Sequence, residues 1–97
     1  MPTSQARVPT TSGAKYMTQL CKHWSHRLEV EYNETTGRIA FDGDRRCVLH
    51  ATPDALEMEV ETATDEQLAR TQDTVINHLK RFAFREDLGE VEWRRLE

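Results

Sequence analysis

Apolar residues recur along this chain with two different periods, and the change from one to the other marks out its elements. Between Ala14 and about Arg27 they fall at Met17, Leu20, Cys21 and Trp24. This is the i, i+3, i+4, i+7 stripe of an amphipathic helix, with Thr11 or Ser12 placed to cap its first turn. From Leu28 onward the period drops to two. Leu28, Val30 and Tyr32 alternate with Glu29 and Glu31, and a turn over residues 33–37 leads to Ile39 and Phe41. Asp42-Gly43-Asp44 turns the chain into Cys47, Leu49 and Ala51, and Pro53-Asp54 turns it into Leu56, Met58 and Val60, set against Glu57, Glu59 and Glu61. Links this short join only antiparallel neighbours, because a parallel pair needs a crossover of about a dozen residues or more. The pattern predicts a four-stranded meander.

Elements flank the meander on both sides. Ser4 to Val8 reads as a short first strand with Ala6 and Val8 on one face, stopped by Pro9 and the Thr10 to Gly13 stretch. Thr64 to Gln67 reads as a capping box opening a long helix. The stripe of that helix runs through Leu68, Val75, Leu79 and Phe82, with Ile76 and Ala83 at its margin, and should end near Arg85 to Asp87, before Gly89. Val91 and Trp93, alternating with Glu92 and Arg94, form a closing strand.

The predicted fold class is therefore α+β in the order β-α-β-β-β-β-α-β. It has two layers, with both helices on one face of an antiparallel sheet. The other face carries Glu29, Glu31, Arg38, Arg46, His50, Glu57, Glu59, Glu61 and Arg94. LEVEY near the start is echoed by LEMEV further on, as two crossover units related by a pseudo-twofold would produce. The arrangement is similar to that of the TATA-binding protein, an analogy of fold that carries no function.

Length and charge narrow the picture. The 97 residues suit one domain with a loose tail at residues 1–3, and removing that tail should hardly change stability. The net charge of −4 is uneven. Residues 1–50 carry seven Lys/Arg against five Asp/Glu, whereas residues 51–97 carry six against twelve. Six carboxylates and no cation lie between Asp54 and Glu66, which would repel a phosphate backbone and sets nucleic acid aside as a partner. With no apolar run near the roughly 18 residues of a membrane span and no signal-peptide core at the start, a cytoplasmic protein without a membrane partner is expected. Cys21 and Cys47 lie on core-facing positions and are expected to be buried, reduced thiols, and Trp24 and Trp93 are expected in the core.

Chemistry-bearing side chains gather in two helical strings. In the first, Cys21-Lys22-His23-Trp24-Ser25-His26-Arg27, a rotation of 100° per residue puts Cys21 about 160° from His23, so the two cannot act as a pair. His23 and His26 are three apart, close enough to share a metal if Gln19 or His78 supplied a further ligand. The bland alternative is that His26 and Arg27 complement the negative end of the helix. In the second string, His78 lies at the margin of the core stripe, and Lys80, Arg81 and Arg85 make the helix end positive. These cations either answer the helix dipole or receive a carboxylate or phosphate. Antiparallel helices aligned at their centres would leave His23 and His78 roughly 9 Å apart along the axis. That spacing suits the walls of a small polar crevice and is too long for a shared zinc. No metal and no cofactor is expected.

The strings QLCKHWSHR, GRIAFDGD with Cys47-Val48-Leu49 after it, and NHLKRFAFRED with VEW at the end, in that order, resemble a bacterial family known as domain of unknown function 2218. The resemblance runs from about Ala6 to Trp93. It implies a small cytoplasmic protein without an established activity, in a family of which some members are associated with siderophore-interacting flavin reductases as neighbours or fusions. It also raises the standing of His23, His26, His78, Arg81 and Arg85 as a candidate ligand site. The leading expectation is a non-enzymatic binding or accessory module for a small anionic ligand, linked to iron handling, with a homodimer or a flavin reductase as protein partner. The alternatives are a small enzyme using His23 or His26 as acid/base, and a domain that only associates with itself or another protein.

Overall fold

A computed structural model of the chain describes residues 2–42, 44–86, 88–89 and 91–96, residue 42 by its backbone only. Its elements are β1 (Thr3–Pro9), α1 (Gly13–Ser25), β2 (Glu29–Tyr32), β3 (Thr36–Asp42), β4 (Arg45–Ala51), β5 (Ala55–Glu61), α2 (Asp65–Phe82) and β6 (Arg94–Arg95). The six strands form one antiparallel sheet in the order β2-β3-β4-β5-β1-β6. The α+β class and the order of elements are those the periodicity predicts. The two crossovers are unequal, however. The connection from β1 to β2 passes β5, β4 and β3, and that from β5 to β6 passes only β1, so the internal echo does not extend to equal halves.

The alternating residues meet as the pattern requires. Cys47 lies opposite Val60, Leu49 opposite Met58 and Ala51 opposite Leu56, while Ala6 and Val8 continue the rows on β1. All of these are buried. Met17, Leu20, Cys21 and Trp24 of α1 and Leu68, Val75 and Leu79 of α2 close over them from one side. The intervening residues form the uncovered face, where Arg38 lies opposite Val48, Val48 opposite Glu59, and Glu59 opposite Gln5.

Four local readings are corrected. Of the expected loose tail, Met1 lies outside the described residues, and the other two residues are held: Thr3 is paired with Glu61 and buried, and the Pro2 carbonyl accepts the Thr62 N–H at 3.0 Å. The closing strand is Arg94–Arg95, pairing with Gln5 and Ser4. Val91 and Trp93 are half-buried and pack on the core from irregular backbone, because their alternation reports apolar contact and not ladder hydrogen bonds. α2 stops at Phe82, three residues early; Ala83 leaves helical geometry, and the turn that follows carries Glu86 back toward α1. Lastly, only half of the capping box forms. The Gln67 N–H donates to Thr64 Oγ1 at 3.2 Å, while Gln67 Oε1 is buried without a partner among the described residues. The N-cap of α1 is Ser12, which makes no side-chain cap; its own N–H donates to Thr10 Oγ1 at 3.1 Å.

The helices run antiparallel, with Tyr16 beside Glu86 and His23 beside His78. They are not aligned at their centres: α1 lies against the C-terminal half of α2, an offset of about nine residues or roughly 13 Å at 1.5 Å per residue. Unequal lengths and unequal crossovers produce this shift, and it positions the candidate site.

Candidate functional site

His23 stands in the last turn of α1 because the amphipathic stripe ends at Trp24, which turns its neighbour toward the edge of the core. The offset of the helices brings His78 to it. The two imidazole centroids are 5.0 Å apart, with planes inclined at 47°. Both rest on aromatic carbon: His23 meets Trp24 and Phe82 edge-on at 5.9 Å, and His78 lies 4.8 Å from Trp24, which in turn meets Phe41 of β3 at 5.0 Å. The crevice expected between the histidines is closed by this contact. The centre-aligned spacing missed the axial offset.

The His78 Nδ1 lies 2.8 Å from the Thr74 carbonyl oxygen. A carbonyl can only accept, so Nδ1 carries the proton and Nε2 is the nitrogen left for other chemistry. His23 keeps an exposed edge, yet its packed faces lose water, and this desolvation first holds its pKa below the ordinary value of 6.5. The positive charges of His78, Arg81, His26 and Arg27 add to the depression, in that order. Among the described residues, none of the charges acting on His23 is a carboxylate.

Of the five residues expected to form a site, His23 and His78 touch, and His26 and Arg81 lie near enough for their charges to act on His23. Arg85 does neither; its guanidinium stacks 5.3 Å over the ring of the exposed Phe84 and does not act on His23. Arg27, which the sequence had tied only to the helix dipole, joins the group. Among the described residues, Arg27 and Arg81 make no ion pair. Nor do the described residues contain any group of three or more His, Cys, Asp or Glu able to hold a metal. Gln19 Oε1, expected as a candidate third ligand, is buried without a partner among the described residues.

A second polar cluster escaped the sequence reading. Glu86 Oε1 accepts hydrogen bonds from Tyr16 Oη at 2.5 Å and from Thr10 Oγ1 at 3.1 Å, tying the end of β1, the start of α1 and the turn after α2 into one knot. The bond to Glu86 raises the Tyr16 pKa above 10.0, helped by burial and by the carboxylate charge, with Ser12 opposing. Nothing local marks Glu86 as a partner of a residue 70 positions away.

Cys21 and Cys47 are both free and buried. Burial pushes the Cys21 thiol up to about 11 and the Cys47 thiol higher still, with Cys21 and Glu59 adding to the latter. Nucleophiles of that kind are inert at neutral pH, as core-filling thiols should be.

Over residues 5–94 the sequence matches a family described as an uncharacterized protein conserved in bacteria, DUF2218. The chain is also similar to protein PA4090 from Pseudomonas aeruginosa, whose structure was solved by NMR. The two are 41% identical, the match covers 97% of this chain and 96% of that one, and the TM-score is 0.82. No curated protein matches the chain.

Proposed function

We propose, on the premise that the chain belongs to the DUF2218 family of uncharacterized bacterial proteins, that it is a non-enzymatic cytoplasmic binding module whose ligand is a small anion received where α1 and α2 meet. The observation that carries this reading is the gathering of Arg27, Arg81, His26 and the tilted, touching His23–His78 pair, with no carboxylate among the described residues acting on His23, in a chain of net charge −4. Like charges held together repel, and a carboxylate or phosphate group accepting from them offsets that repulsion. Acid/base catalysis is the weaker reading, because a catalytic imidazole is ordinarily oriented by a carboxylate or a similar third group. His78 Nδ1 is instead committed to a backbone carbonyl, and the described residues that touch or act on His23 are cations and aromatic rings.

The siderophore-interacting flavin reductases that the resemblance suggests as partners make a carboxylate chelator the first organic anion to try, so citrate and inorganic phosphate are the probes. NMR titration of the imidazole carbon-bound protons against pH should show His23 titrating at higher pH with either anion present, and Arg81→Gln should shrink that change. An unchanged His23 titration at tens of millimolar of both anions would refute the proposal.

A further inference from the structure

On the uncovered face of the sheet, a cleft of about 430 Å³ opens between β5, β1 and the segment leading into β6. Its walls carry Arg7, Arg94, Glu57 and Glu92, with Gln5 and Ala6 between them. The size falls within the range of roughly 300 to 1,000 Å³ typical of small-ligand sites. β1 supplies the floor: Ala6 turns its side chain into the core and leaves backbone beneath the cleft.

Strand register places Arg7 directly opposite Glu57, and Gln5 directly opposite Arg94. Opposite charges facing one another across an antiparallel pair, with Cβ atoms about 5 Å apart, are placed to form an ion pair. Arg46 and Glu61 do so on this same face, at 3.7 Å. Yet among the described residues, Arg7, Arg94, Glu57 and Glu92 make no ion pair with each other or with any other group. Two cations and two carboxylates therefore border the same open space with their charges unspent on one another.

That arrangement selects its occupant. A simple anion drawn to Arg7 and Arg94 meets Glu57 and Glu92, and a simple cation meets the reverse. A ligand carrying both charges a few ångströms apart satisfies all four. We propose that this cleft binds a small zwitterion of the α-amino-acid class, its carboxylate on Arg7 and Arg94 and its ammonium between Glu57 and Glu92. The guanidinium fork suits a carboxylate, and an ammonium suits paired acceptors. The site lies on the sheet face turned away from the helices and does not depend on the anion patch.

Amide NMR titration of the folded protein with glycine and L-leucine tests the proposal, with acetate and methylammonium as singly charged halves. Saturable shifts confined to Gln5, Ala6, Arg7 and Arg94 are expected with the amino acids. Each half should bind at least tenfold more weakly. Arg7→Gln and Glu57→Gln should each weaken binding tenfold or more while leaving the core resonances in place, and Arg46→Gln, outside the cleft, should leave it unchanged. Equal binding of acetate or methylammonium, binding indifferent to Arg7→Gln and Glu57→Gln, or the absence of saturable shifts at 100 mM amino acid would overturn it. Shifts at His23 and His78 report on the other site, so the two proposals stand or fall separately.

Discussion

The thiol of Cys21 lies directly over the backbone of Gly37, so that a β-carbon added at position 37 would stand 2.7 Å from Cys21 Sγ. α1 approaches β3 closely because this strand residue has no side chain. Gly37→Ala should therefore destabilise the protein by about 1 to 3 kcal/mol, the usual cost of overpacking a core. In a Cys21→Ala background the obstruction is gone, and the same change should become neutral or slightly stabilising, since alanine loses less backbone entropy on folding than glycine. Urea unfolding of the four-member mutant cycle reads the coupling; additive effects would contradict the contact. Gly13→Ala offers the contrast, because its β-carbon would meet the Ala55 carbonyl at 2.8 Å, and no side-chain change relieves backbone.

Tyr16→Phe removes a hydrogen bond to the Glu86 carboxylate and should cost about 1.5 to 3 kcal/mol, the range for bonds to charged groups. The bond also leaves a mark on the alkaline limb. The folded pKa of Tyr16 is raised above the unfolded value of 10.0, so its contribution is complete below 10.0 and is lost as pH rises through the folded value. Unfolding midpoints recorded from pH 8 to 11 should fall less for Tyr16→Phe than for the parent protein.

For His23 the sign is opposite. Its folded pKa lies below the unfolded 6.5, so the unfolded chain binds the proton more readily, and stability present above 6.5 declines as pH falls toward the folded value. His23→Gln should flatten the loss of stability between pH 7 and 5. Parallel slopes for the two proteins in denaturant titrations would mean that the cations around His23 do not act on it.

Deleting residues 1–3 should destabilise the fold by at least about 1 kcal/mol. It removes a buried Thr3, the Pro2 carbonyl bonded to Thr62, and the Thr3 carbonyl that accepts the Leu96 N–H at 2.8 Å. Thermal melts decide it; an unchanged midpoint would return these residues to the status of a tail. The sequence had suggested the opposite because Thr3 is polar and carries no hydrophobic period, although it is buried.

That error shows what one-dimensional pattern can reach. Alternation of Leu49, Met58 and Val60 with charged neighbours determined strands, faces and the side on which the helices lie, because each follows from a period of two or 3.6 residues and the demand that apolar area leave water. The cationic strings around His23 and His78 were legible for the same reason: they break the stripe at the end of each helix. Only the tertiary structure decided the axial offset of the helices. It alone turned an expected crevice into a tilted contact between two imidazoles, separated Arg85 from the cluster, and brought Glu86 to Tyr16 and Arg94 to Gln5. Periodicity fixes the angle at which a side chain leaves its element. Where one element lies along another depends on crossover spans and on packing partners many residues distant, and no local window of the chain contains them.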